Sequence, residues 1–122
     1  MAVILIVEDD AFIRKCAASM IKEWGHETYS AGEVEEALML LGTPQHFDAL
    51  FTDIRLKTAV HGGYDIARRA IQFRPQLRVL YTTGDRISDA NRSLFVRGAQ
   101  FLPKPYTEAR LKRSVSELLA SA

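Results

Sequence analysis

Cysteine is almost missing from this chain. Cys16 stands alone among 122 residues, which excludes an internal disulfide and a thiolate metal cage. Long hydrophobic runs are missing too. The longest, Ala2 to Val7, is six residues. A membrane span needs roughly 20. No basic stretch precedes it, so it is not a secretion signal, and the cytoplasm is the expected compartment. Charge of one sign is also lacking. Lys plus Arg is 16 against 15 for Asp plus Glu, a net of +1. No broad basic field favours nucleic acid and no acidic tail appears. Repeats, low-complexity tracts and linkers are absent. The chain therefore reads as one domain, residues 1–122, without room for a separate substrate domain. Apolar residues at 48% and charged residues at 25% fit a packed core.

Within that frame, strand and helix signals alternate. Ala2 to Val7 is a β-branched apolar run that stops at Glu8, Asp9 and Asp10, as a strand buried on both faces does. Phe12, Ile13, Cys16, Ala17, Met20, Ile21 and Trp24 recur at helical spacing over 11–24, with Asp10 as cap, Cys16 in the core and Gly25 as stop. His26 to Ser30 is a more polar edge strand, and Glu33 to Leu41 a second helix. Asp48 to Asp53 is a third strand, again ending on an acid. Paired glycines close a loop over 57–63, and a helix carrying Ile66, Ala67, Ala70 and Ile71 runs to Pro75. Leu77 to Thr82 is a strand. Ile87, Ala90, Leu94 and Phe95 mark a fourth helix ending at Gly98. Ala99 to Leu102 is a fifth strand, and Leu111, Val115, Leu118 and Leu119 stripe the last helix. Five βα units with right-handed crossovers make an α/β three-layer sandwich around a parallel sheet.

Sites in such sheets form beyond the C-terminal strand ends. There the chain offers Glu8, Asp9 and Asp10, then Asp53, then Thr83 and Gly84, then Lys104 and Pro105. Taken singly, each has a bland reading: Asp10 as a helix cap, Asp53, Thr83-Gly84 and Lys104-Pro105 as turns. Together they assemble a site. Crowded carboxylates repel unless protonated or bridged by a cation. Oxygen ligands without His or Cys suit Mg²⁺. A lysine and a hydroxyl opposite can neutralise and orient a phosphoryl group, and Asp53 is the candidate nucleophile. The histidines His26, His46 and His61 read as surface or loop residues.

These segments closely resemble the receiver domain of two-component response regulators. ILIVEDDAFIR is similar to its first strand and acidic pair, FTDIRL to its acceptor strand, YTTG to its hydroxyl turn and FLPKPYT to its Lys-Pro segment. The resemblance implies a flavodoxin-like sheet of order 2-1-3-4-5, with Pro103 tolerable because strand five is an edge. It implies Asp53 as phospho-acceptor. Mg²⁺ would be held by Asp9, Asp53 and the backbone carbonyl of Arg55, and by Glu8 through water. Thr83 and Gly84 form the switch turn, Lys104 binds phosphate, Phe101 is the switch aromatic and the Lys104–Pro105 peptide is cis. Partners would be a histidine kinase or histidine phosphotransfer protein upstream. Downstream stands a protein target on the helix 4, strand 5, helix 5 face, with no direct nucleic acid or membrane contact. The domain is not a dedicated enzyme, although it takes up and sheds its own phosphoryl group. Arg110, Lys112 and Arg113 form a solvated face of the last helix. The starting methionine favours a stand-alone receiver over one excised from a hybrid kinase. Three features depart from the family pattern: Leu56-Lys57 where Met-Pro is usual, with a 57–63 loop longer by a residue or two; a Gly98-Ala99-Gln100-Phe101 turn shorter by a residue; and Pro103 inside strand five.

Competing functions fit less well. A Mg²⁺-dependent phosphatase with an aspartate nucleophile carries a general acid two residues on, where Arg55 stands. A nucleotide-binding module needs a glycine-rich first turn, where Glu8-Asp9-Asp10 stands. A receiver-like binding module that works without phosphorylation has no use for Asp9, Asp53, Thr83 and Lys104 together.

Overall fold

A central parallel strand has no solvent face, so every position along it is apolar or bonded. β3 (Ala49–Asp53) is buried throughout, and β1 (Val3–Val7) is buried from Ile4 onward. The computed structural model describes residues 1–121. The other strands are β2 (Glu27–Ala31), β4 (Arg78–Thr83) and β5 (Gln100–Pro103). The helices are α1 (Ala11–Glu23), α2 (Val34–Leu41), α3 (Gly62–Phe73), α4 (Asp89–Arg92) and α5 (Glu108–Ala120). The strands pair in parallel in the order β2-β1-β3-β4-β5, the order that the family resemblance implies.

The side-chain period of two splits the core. Leu5, Val7, Leu50, Val79 and Tyr81 pack under α2 and α3, while Ile4, Ile6, Ala49, Phe51 and Leu80 pack under α1 and α5. Asp10 caps α1 by accepting from the Ile13 N–H at 3.0 Å, and Thr107 caps α5 by accepting from Arg110. The paired glycines lie not in a loop but in the first turn of α3. A Cβ on Gly63 would fall 2.3 Å from the Asp53 carbonyl oxygen, so only glycine lets α3 approach β3 this closely. The Gly63 N–H donates to the Ile54 carbonyl at 2.9 Å.

Two expectations are corrected. The fourth helix is a single turn, not a helix running to Gly98. Phe95 donates back to Arg92, three residues away, and the Val96 N–H is taken by the Tyr81 hydroxyl at 3.2 Å instead of continuing the ladder. Tertiary packing of Phe95 on Tyr81, with centroids 4.7 Å apart, overrides the helical periodicity. On α1, Phe12 is 75% exposed and Cys16 only half-buried; Ala17 and Ile21 make the core contact. His26, read as a surface or loop residue, lies in the loop between α1 and β2, where its Nδ1 accepts from the Ala2 N–H at 3.0 Å.

Candidate functional site

β1, β3, β4 and β5 end side by side, and the residues after them meet. Carboxylate oxygens of Glu8, Asp9 and Asp53 lie within 4.8 Å of one another. Glu8 and Asp53 are buried, at 4% and 6% exposure, and Asp9 is half-buried. Lys104 reaches across from β5, with Nζ 2.5 Å from Glu8 Oε1 and 3.1 Å from Asp53 Oδ2. The Asp10 N–H fixes Glu8 Oε2 at 3.1 Å. Arg14, which the sequence did not flag, donates to the Glu8 carbonyl at 2.7 Å and anchors that turn.

These surroundings leave Asp53 short of positive charge. Burial first, then the neighbouring Glu8, pushes its carboxyl up to about 7, against a partial counter-pull from Lys104. Burial alone would lower Lys104, but its bonds to Glu8 and Asp53 outweigh that and hold the ammonium charged. Tyr106 is half-buried beside Phe51, and loss of solvent around its hydroxyl pushes it up to about 12, so it stays a neutral phenol.

A cavity of about 360 Å³ opens above the acids, lined by Asp9, Asp53, Arg55, Thr83, Gly84, Asp85 and Lys104 among others. Thr83 is 3% exposed, and its Oγ1 accepts from the Asp85 N–H at 3.2 Å. The Lys104 N–H donates to the Thr83 carbonyl at 3.0 Å, tying the hydroxyl turn to the lysine turn. The Lys104–Pro105 peptide is cis. Phe101 is not brought into this cavity. It pairs with Tyr81 across the sheet and continues a stack through Phe95, 6.2 Å away, to Tyr64 on α3. Sequence reasoning missed Tyr81 and Phe95 because only the fold stacks them. It also missed the Arg55–Asp85 ion pair at the cavity rim, although Asp85 directly follows the strand-end turn.

The donor set fits a hard divalent cation. The three clustered side chains all present oxygen, with no nitrogen or sulfur ligand among them. Lys104 already bridges two of them, so the cluster accepts a positive charge between its members.

The likeness to known proteins covers the same ground. A family model described as the response regulator receiver domain matches residues 4–116. A response regulator receiver protein from Sinorhizobium medicae WSM419 superposes with a TM-score of 0.88 at 27% identity, covering 98% of this chain and 95% of that one. A CheY-like receiver domain from Methanospirillum hungatei JF-1 gives 0.87 at 26% identity, covering 98% and 94%. Among curated proteins, probable histidine kinase 3 from Oryza sativa subsp. japonica is 35% identical over 66 residues, 54% of this chain and 6% of the kinase. With the strand order, the acidic cluster and a family match over nearly its whole length, the chain belongs to the response regulator receiver domain family.

Proposed function

We propose that this receiver takes a phosphoryl group onto Asp53 in a Mg²⁺-dependent phosphorelay and acts as a single domain over residues 1–122. Receiver domains interact with histidine kinases or phosphotransfer proteins and are typically signal transducers, not enzymes. The observation carrying the reading is Asp53 itself: a buried carboxylate at the end of β3, beside Glu8 and Asp9, with the Lys104 ammonium 3.1 Å away. In the transfer, an Asp53 oxygen attacks phosphorus. An O–P bond forms as the donor's N–P bond breaks, and the imidazole leaves with the electron pair. Asp9, Asp53 and the Arg55 carbonyl would hold the Mg²⁺, with Glu8 engaged through water. That ion supplies charge neutralisation for the incoming phosphoryl oxygens. Lys104 pairs with one of those oxygens, and the Thr83 hydroxyl turns from Asp85 toward another. Gly84, which has open space around its Cα, leaves room for that turn.

The donor protein docks along α1. An apolar groove of about 460 Å³ runs from Gly84, Lys104 and Pro105 past Tyr106 to Phe12, Ile13, Cys16 and Met20, so it is continuous with the acceptor site. The output surface is α4, β5 and α5, where Phe101 transmits the movement of Thr83. From there the chain contacts a target protein or passes the phosphoryl group on. No helix among the described residues is long and apolar enough to cross a membrane. A cytoplasmic setting is part of the proposal.

Incubation with a small acyl phosphate and Mg²⁺, followed by intact-mass measurement, tests the acceptor. One phosphoryl adduct is expected in the native chain and none in Asp53→Asn; an equal adduct in Asp53→Asn would overturn it. Asp9→Ala should weaken Mg²⁺ binding sharply, and unchanged affinity would refute the ligand set. Thr83→Ala should take up phosphoryl but fail to shift the backbone NMR resonances of Phe101.

A further inference from the structure

Lys104 is not the only cation at the acceptor site. Arg55 stands two residues after Asp53, and its Nε donates to Asp85 Oδ2 at 2.9 Å. Both side chains are 57% exposed, and both line the cavity that holds Asp53, Thr83 and Lys104. The pair joins the β3–α3 loop to the β4–α4 loop across the cavity rim. Asp85 is engaged twice: its carboxylate holds Arg55 while its N–H holds the Thr83 hydroxyl at 3.2 Å.

We propose that Arg55 is a phosphoryl-binding residue held off its target by Asp85, and that phosphorylation of Asp53 swaps Asp85 for the phosphoryl group as its partner. This rests on the acceptor reading above. The physical case is a competition. An ion pair as exposed as Arg55–Asp85 is screened by water and weakly held. A phosphoryl group brings roughly two negative charges to the same cavity. It also offers oxygens in the geometry that a guanidinium fork binds two at a time. Arg55 has only to turn its long side chain inward. Its departure frees the Asp85 carboxylate as the Thr83 hydroxyl leaves the Asp85 N–H, so the β4–α4 loop loses both ties together. The guanidinium then lies over the phosphoryl oxygens at the cavity mouth, where it obstructs an attacking water. Arg55 thus acts both to hold the modified state and to report it.

Two readouts test this. In the first, Arg55 Nε–H is followed by NMR, assigned with Arg55→Gln, before and after addition of beryllium trifluoride and Mg²⁺ as a phosphoryl analogue. A large shift in the native chain is expected, and in Asp85→Asn the starting position should already be displaced. In the second, the adduct on Asp53 is formed with a small acyl phosphate and its decay is timed by intact mass. Arg55→Gln should shorten its life about fivefold, Arg55→Lys should restore part of it, and Asp85→Asn should lengthen it. Asp85→Asn should do nothing in the Arg55→Gln background, because the two act as one pair. An unmoved Arg55 Nε–H, or an Asp85→Asn effect of equal size in both backgrounds, would overturn the proposal while uptake by the native chain leaves the acceptor reading standing. No adduct in the native chain would overturn both.

Discussion

β3 carries an aspartate at each end, and the two are treated in opposite ways. Asp48, just before the strand, accepts from the Val3 N–H at 2.7 Å and lies 2.9 Å from His46 Nε2. Burial pulls its carboxyl up, but the Val3 and His46 bonds outweigh this and hold it below the usual range. Asp53, at the strand's other end, shares one ammonium with Glu8 and is pushed up to about 7. The same chemical group five residues apart is thus a settled structural tie at one edge of the sheet and an only partly compensated charge at the other. The rest of the N-terminal edge follows Asp48. Arg74 donates to the Leu41 and Thr43 carbonyls and Arg78 to the Ser121 carbonyl, so its cationic side chains close off loop ends. The proposed acceptor edge is thus marked by charge only partly answered, not by size, since the larger cavity lies at the N-terminal edge.

The two aspartates also give opposite pH linkages. Asp48, with its carboxyl lowered, contributes stability that is present above the unfolded value near 3.8 and lost as pH falls through its folded value. Asp53, with its carboxyl raised, contributes stability that is present below 3.8 and lost as pH rises toward about 7.

Substitution breaks the comparison most sharply at Asp53. Asp53→Asn should abolish phosphoryl uptake altogether, by intact mass, and yet stabilise the metal-free chain at pH 8 by about 1–3 kcal/mol in denaturant melts. Next in size is the backbone beneath it. Gly63→Ala forces a methyl against the Asp53 carbonyl and should cost about 2–4 kcal/mol, lowering the melting temperature and displacing Asp53 together. At the settled edge, Asp48→Asn should cost about 1–2 kcal/mol at pH 7 by the same melts while uptake on Asp53 continues. The smallest effect is expected at the groove. Phe12→Ser removes an exposed ring, so it should leave the melt and the reaction with a small acyl phosphate unchanged. It should slow transfer from a phosphorylated histidine protein by about tenfold or less.

Much of this fold was legible because parallel strands buried on both faces write themselves as apolar runs: AVILIV and DALFTD fix β1 and β3, and their acidic ends locate the site. Lys104 was legible from its place after the last strand. The one-turn α4 was not, because the competing bond from Val96 goes to Tyr81, fifteen residues away. Gly62-Gly63 was visible as a pair, but its reason, a carbonyl from another strand, is tertiary. Arg55 and Asp85 lie on separate loops 30 residues apart, and no spacing rule joins two exposed charges at that distance. Phe12 shows the reverse failure: its helical periodicity is real, but the face it marks borders a groove, not the core.

Asp53 waits with its charge only partly answered, by one ammonium shared with Glu8. A pH titration of the Asp53 side-chain carboxyl carbon by ¹³C NMR, in metal-free protein, tests it most directly. A midpoint near 7 is expected, moving down when Mg²⁺ is added. A midpoint at or below the ordinary carboxylate value near 3.8 without metal would put Asp53 on the same lowered side as Asp48 and would contradict it.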